Sequence, residues 1–258
     1  MHKLSGLKPI TRWLSDEELE TIYTAEYWNN IEEEKKKEWW IEGTDYCKLW
    51  DYLKSTKLYD DYLAAEKKLK DISSDNLIVA DLAAGIGWTS ALLSRLENVL
   101  NVKAVEISKH RIHSLFESAI DMFEGNPKKI NRFIGSFYDT RFDDNSIDIV
   151  FMCQAFHHAD RPFHLLHEIS RILKPSGKVL IIGEHYIDTK RILKRFLKTL
   201  VKQRKIITYY HELFRPDPLL GDHYYRVSDY YFLAESLGFS CSLERLPSGD
   251  AMYILNLE

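Results

Sequence analysis

Apolar residues fall into distinct patterns along the chain. Between about 76 and 184, apolar runs at Leu77–Leu82, Val102–Ile107, Ile147–Met152 and Val179–Ile182 alternate with segments of helical spacing at about 88–97, 108–123 and 162–173. Runs without in/out alternation suit strands covered on both faces, as in a parallel sheet flanked by helices. Gly125-Asn126-Pro127 is expected to end the second helix and Lys174-Pro175-Ser176-Gly177 the third. The alternation predicts an α/β fold with a doubly wound, mostly parallel sheet. A mostly helical insertion at about 185–225 follows, then a helix at 228–237. Strand-like runs at about 239–246 and 251–257 flank the turn Pro247-Ser248-Gly249-Asp250, which predicts an antiparallel C-terminal hairpin.

Residues 1–75 read differently, as a helical, aromatic-rich N-terminal cap preceding a unit at 76–258. Ser15 and Glu18 form a capping-box signature that opens a helix through Leu19, Ile22 and Tyr23. Trp13, Trp28, Trp39, Trp40 and Trp50 all lie in this region, and the charged run Glu32 to Glu38 is expected to be a solvated helix face.

Composition narrows the class. The chain has 258 residues, 45% hydrophobic, with a net charge of −4, so no global basic field argues for nucleic acid as a partner. Cys47, Cys153 and Cys241 are odd in number and widely spaced, which points away from a disulfide scaffold or a cysteine metal site and towards a reducing, cytoplasmic setting. No apolar leader or run of spanning length is present.

The segment Ile78-Val79-Ala80-Asp81-Leu82-Ala83-Ala84-Gly85-Ile86-Gly87-Trp88-Thr89 reads as strand, small-residue loop and helix start, where backbone can approach a ligand and helical N–H groups are free. Asp81, four residues before Gly85, would repel a pyrophosphate but could pair with an ammonium or anchor the loop. Glu106 ends the next strand about twenty residues beyond the glycines, the spacing expected of a carboxylate that accepts ribose hydroxyls. Together the two acids suggest an adenosine-bearing ligand that is cationic near the loop.

On these residues the chain resembles the class I S-adenosylmethionine-dependent methyltransferases, in particular their small-molecule, type 11-like group. Asp81, Ala83, Gly85 and Gly87 stand at the positions of the family's acid-x-G-x-G-x-G motif, and VKAVEIS supplies the acidic strand with Glu106 at the ribose position and Ile107 beside it. Gly135-Ser136-Phe137-Tyr138-Asp139 falls where the family reads the adenine edge. Asp144-Asn145-Ser146-Ile147-Asp148-Ile149-Val150 and Leu173-Lys174-Pro175-Ser176-Gly177-Lys178-Val179 follow in family order. The resemblance implies a seven-stranded sheet and S-adenosylmethionine as cofactor, with S-adenosylhomocysteine as product. It also implies a cofactor site of Asp81, Ala83, Gly85, Gly87, Glu106, Ile107, Ser136, Phe137 and Cys153, the last through its backbone. Two residues depart from the family pattern: Ala83 replaces a glycine, so its backbone is expected to keep an ordinary L-residue conformation, and Ser136 replaces a frequent aspartate.

Methyl transfer is an in-line displacement that needs alignment, plus a base when the acceptor is a hydroxyl. Cys153-Gln154-Ala155-Phe156-His157-His158-Ala159-Asp160 follows the run Ile147–Met152 and Gly183-Glu184-His185-Tyr186 the run Val179–Ile182; in the resembling enzymes both loops border the acceptor. His157, His158 and Glu184 are therefore the catalytic candidates. In an extended loop only one of the two histidines faces the pocket; His157 is the expected one, with His158 packing or capping the next helix. No spacing of ligand residues suggests a metal. Tyr23, Tyr27 and Trp28 are candidates for an aromatic lid over the sulfonium.

The stretch 189–205 carries eight basic residues and no acid, leaving −12 for the rest of the chain. Ile192, Leu193, Phe196, Leu197, Leu200 and Val201 fall on the opposite face. It reads as a lid helix with a solvated basic face, as an attractor of an anionic small-molecule acceptor, or as a contact to an anionic membrane surface. The sequence as a whole reads as an enzyme that methylates oxygen, with nitrogen second, on a small polar metabolite such as a sugar or a phosphorylated or nucleotide-linked compound. An NAD(P)-dependent oxidoreductase, from the partial fingerprint Gly85-x-Gly87-x-x-Ser90, and a non-catalytic cofactor-binding regulator are the alternatives.

Overall fold

The computed structural model describes residues 4–22, 25–43, 45–72, 74–203, 206, 209–217 and 219–257. Its described strands form one sheet: β1 (Thr11–Arg12), β2 (Leu77–Leu82), β3 (Val99–Glu106), β4 (Ile130–Ile134), β5 (Ile147–Cys153), β6 (Leu173–Glu184), β7 (Phe239–Arg245) and β8 (Ala251–Leu257), in the order β1-β4-β3-β2-β5-β6-β8-β7. All pairings are parallel except those of β8, which runs against both β6 and β7. The doubly wound sheet with its C-terminal hairpin is as the sequence implied. The strand beyond the expected seven is β1, a two-residue addition from the N-terminal region at the outer edge of β4.

The helices in chain order are α1 (Asp16–Glu20), α2 (Ala25–Trp28), α3 (Ile31–Glu34), α4 (Cys47–Ser55), α5 (Leu58–Lys70), α6 (Trp88–Leu93), α7 (Phe116–Met122), α8 (Pro162–Ile172), α9 (Thr189–Gln203), α10 (Tyr210–Leu213) and α11 (Val227–Glu235). Ser15 and Glu18 close the expected capping box on α1. The single helix foreseen at 108–123 is instead a π-helical turn, Arg111–Leu115, leading into α7. The Lys174–Gly177 turn is taken into β6 as an irregularity in its pairing with β5.

One face of the sheet packs with Leu53, Tyr62, Leu69, Leu93, Phe116 and Ile120; the other packs with Phe156, Leu165, Ile169, Tyr230 and Leu233. Helices α4 and α5, from the N-terminal region, thus share the first core rather than forming one of their own. β4 was not foreseen because its middle residue is Arg132. The guanidinium is buried in an apolar surround, donating to the Ile112 carbonyl and facing Glu117, a solution that hydrophobic patterning cannot signal.

The chain leaves β2 for β3 and β4 on one side, then returns to β5 and β6 on the other. Strand order therefore reverses beside β2, and a cleft opens outside the carboxyl ends of β2 and β5, the usual ligand position in such sheets. Gly87 sets the helix that borders it. Its φ is +81°, and a Cβ there would sit 2.4–2.5 Å from the Phe116 ring. Gly87→Ala is expected to cost about 2–4 kcal/mol through left-handed strain and overpacking, measured as a lower denaturation midpoint; an unchanged midpoint would contradict this packing.

Candidate functional site: a cleft at the strand-order reversal

A cavity of about 670 Å³ occupies this cleft, with the β2–α6 loop, the ends of β3 and β5, the N-terminal helices and residues 220–223 as walls. Its parts separate into a cofactor-like end and a histidine-rich end.

At the first end, the β2–α6 loop turns through Ala83 (φ +55°), Gly85 (φ +56°) and Gly87. The conventional backbone expected of Ala83 is not what forms: the chain holds this alanine left-handed, at a cost of about 1–2 kcal/mol, because Ala84 N–H must reach the Val105 carbonyl. Gly85 has only Arg111 Nη1 near its absent side chain, at 3.9 Å, so its bare backbone faces open space. Glu106 accepts from Gly85 N–H at 2.6 Å with one oxygen, and from Ile107 and Ser108 N–H with the other. A carboxylate has about four lone-pair sites, so acceptor capacity remains towards the cavity. Ile107, Ser136, Phe137 and Cys153 all line the same space.

Asp81 and Ser136 are both tied into local hydrogen bonds. Asp81 is buried behind the loop and does not line the cavity; its Oδ2 accepts from the hydroxyls of Thr89 and Ser90 at 2.7 and 2.5 Å. Burial pushes its carboxyl up to about 6. Of the two roles open to Asp81, anchoring the loop is the one its hydrogen bonds make. Ser136 Oγ accepts from Tyr138 N–H and lines the cavity, with a second lone pair and its own proton still available.

At the other end the loop after β5 is a 3-10 turn, Phe156–His158, rather than extended chain. Both histidines therefore face the cavity, and His158 is not a helix cap. Glu184, wholly buried at the end of β6, accepts from Ala155 and Phe156 N–H and from Tyr230 Oη, and meets His157 Nδ1 at 3.0 Å. Glu184 thus positions His157 and does not itself reach the cavity. Burial raises the Glu184 carboxyl, but His157 and Tyr230 outweigh it and hold it below its ordinary range. An ionised Glu184 places the His157 proton on Nδ1 and leaves Nε2 as the acceptor. Burial lowers His157, yet Glu184, with Asp222 and Asp250, carries it above the ordinary histidine value. His158 is lowered, mainly by burial.

Sequence reasoning missed Asp222. His223 N–H donates to the His157 carbonyl at 2.7 Å, pinning the insertion against the histidine turn. This sets Asp222 Oδ1 3.1 Å from His158 Nδ1 and 3.9 Å from His157 Nε2. One donor atom from each of these three residues lies within 4.8 Å of the others, a set that could hold a cation; no sequence spacing suggested it, because Asp222 arrives from a distant insertion.

The N-terminal region closes the cavity. Trp28 lines it and meets the His158 ring edge-on at 5.2 Å, whereas Tyr27 packs behind Trp28 and does not line it; Tyr23 lies outside the described residues. The solvated run expected at 32–38 contains an exception. Glu34 is fully buried and pairs with Arg111 through two hydrogen bonds of 2.7 Å, while Trp28 and Trp39 lie against the guanidinium at 4.5 and 4.9 Å. Nothing in the charge run distinguishes Glu34 from its neighbours; only the position of Arg111 does.

A doubly wound sheet with an acidic residue ending its second central strand and an open glycine loop defines a binder of an adenosine-bearing cofactor. More specifically, residues 80–181 match a family described as a methyltransferase domain, and this stretch is a class I, S-adenosylmethionine-dependent methyltransferase domain. The chain is 33% identical over 125 residues to the glycine/sarcosine/dimethylglycine N-methyltransferase of Actinopolyspora halophila, covering 47% of this chain and 21% of that protein. It is 33% identical over 103 residues to the dimethylglycine N-methyltransferase of Parasynechococcus marenigrum, covering 38% and 34%. The matched stretches thus span about a fifth and a third of those relatives. A putative S-adenosylmethionine-dependent methyltransferase structure from Methanococcus maripaludis superposes with a TM-score of 0.55 over 84% of this chain and 95% of that one, at 17% identity, a likeness of fold.

Proposed function

We propose that the chain transfers a methyl group from S-adenosylmethionine to an oxygen of a small polar metabolite. The observation that carries this reading is the buried Glu184 carboxylate 3.0 Å from His157 Nδ1, beside the cavity; above its raised pKa the ring keeps its proton on Nδ1 and presents Nε2 as the acceptor. A base so oriented suits a hydroxyl, whose proton must leave as the new bond forms.

The residues present fit the cofactor: Gly85 offers bare backbone, Glu106 keeps acceptor capacity for ribose hydroxyls, and Ile107, Phe137 and Cys153 supply a largely apolar wall. Bound there, the cofactor supplies a methyl group on a positively charged sulfur, ready for displacement. His157 accepts the acceptor's proton at Nε2, Glu184 stabilises the imidazolium so formed, and Trp28 with the Glu34–Arg111 pair excludes water from above. Because about 670 Å³ must hold both cofactor and acceptor, the acceptor is small, with a sugar or a phosphorylated or nucleotide-linked compound as candidates. Residues 1–75 act as the cap over the 76–258 unit.

Transfer to an amine is the second reading, favoured by the similarity to N-methyltransferases of glycine derivatives; an amine needs only to be deprotonated and aligned. The test is incubation of the protein with methyl-labelled cofactor and a panel of sugars, sugar phosphates, glycine, sarcosine and dimethylglycine, with the labelled carbon assigned by NMR to oxygen or nitrogen. Label on oxygen is expected. Label on nitrogen would overturn the first reading, and binding of the cofactor without transfer to any acceptor would favour a regulatory role.

A further inference from the structure

We infer that α9 is a docking element for an anionic membrane surface. Hydrophobic patterning alone expects all its apolar residues to pack inward. The structure divides them. Ile192 and Phe196 pack against the small cluster of Ile187, Leu213 and Phe214, whereas Leu193, Leu197 and Val201, spaced i, i+4, i+8, are 55%, 48% and 76% exposed. These three form an aliphatic row on a helix already seated by other residues.

The charges are divided in a matching way. Arg191 donates to the Tyr186 carbonyl and Arg195 lies over the Phe214 ring at 4.4 Å, so both arginines hold the helix to the body. Lys190, Lys194, Lys198 and Lys202 repeat at four-residue spacing beside the aliphatic row. Among the described residues none of these lysines has an ion-pair partner. An exposed aliphatic row bordered by free lysines is the composition of a helix lying in the headgroup layer.

Charge complementarity selects an anionic bilayer as the occupant. The stretch 189–205 carries +8 while the remainder of the chain carries −12, so a negative surface attracts this helix and repels the rest, giving the approach a single orientation. This inference does not rest on the methyl-transfer reading, since docking is read without turnover.

The test is flotation of the full chain with phosphatidylcholine vesicles, with and without phosphatidylserine, at low and high salt. Four lysines near such a surface should raise partitioning about 10²–10³-fold over neutral vesicles at low salt, an advantage that high salt removes. Replacing the four lysines by glutamine should abolish the preference. Leu197→Ser with Val201→Ser should weaken binding at low salt. Both variants alter exposed side chains, so an unchanged melting temperature and cofactor affinity verify that the fold persists. Absence of binding to phosphatidylserine vesicles at low salt overturns the inference. So does a lysine variant that still floats, a concentration-dependent doubling of mass removed by Leu197→Ser (self-association), or tighter binding to duplex DNA than to the vesicles.

Discussion

Alanine at His157 is expected to lower kcat about 10²–10⁴-fold while leaving S-adenosylmethionine affinity nearly intact, because His157 follows β5 whereas Glu106 ends β3, on the other side of β2. Near-normal turnover would sink its role as proton acceptor. The pH profile supplies an independent readout. Burial lowers the His157 pKa but Glu184 raises it further, so it lies above the ordinary 6.5. Below that raised value the ring is protonated and cannot accept, so kcat rises as pH climbs through it. Glu184→Gln keeps an oxygen for the Ala155 and Phe156 N–H groups but removes the charge, and the rising limb should move to lower pH. The same linkage acts on stability. A raised histidine pKa contributes stability that is fully present below about 6.5, the unfolded value, and is lost as pH rises through the folded one; Glu184→Gln should flatten this dependence. A profile that does not move would mean that Glu184 is only a structural acceptor for the turn.

Glutamine at Glu106 is expected to weaken S-adenosylmethionine and S-adenosylhomocysteine binding about 10²-fold, as two charge-assisted hydrogen bonds to ribose hydroxyls become neutral ones. Glutamine is the milder substitution: it keeps one oxygen for Ile107 and Ser108 N–H and loses only the acceptor of Gly85 N–H, whereas alanine strips all three of their partner. Calorimetric titration measures the change directly. Equal affinity in the variant would contradict the assignment of this carboxylate to the ribose, whatever the acceptor proves to be.

The two predictions differ in how far each was legible beforehand. Glu106 and the glycine loop are contiguous in short segments, and the chemistry of a strand ending in an acid beside small residues is local; the sequence carries it without the fold. The parallel strands β2, β3, β5 and β6 were equally plain, because burial on both faces leaves a mainly apolar run; β4, with Arg132 at its centre, was not. His157 was visible as a residue but not in its geometry: whether one histidine or two would face the ligand depended on whether the loop was extended or a 3-10 turn, and the Glu184 contacts that shape that turn are set by tertiary packing.

What the sequence by itself determined is therefore the α/β class, the strand-loop-helix that takes the cofactor, and the loops that approach it. What only the tertiary structure decided is every pairing between distant segments. Asp222 reaches the histidines through the His223 hydrogen bond, Glu34 is drawn inside by Arg111, Asp81 is turned away from the cavity by Thr89 and Ser90, and Leu193, Leu197 and Val201 are left in solvent. The physical reason is common to all four. Periodicity records which side chains prefer burial, but the partner that makes a buried charge tolerable, or the absence of one that leaves an apolar row bare, is fixed by long-range packing that leaves no local trace.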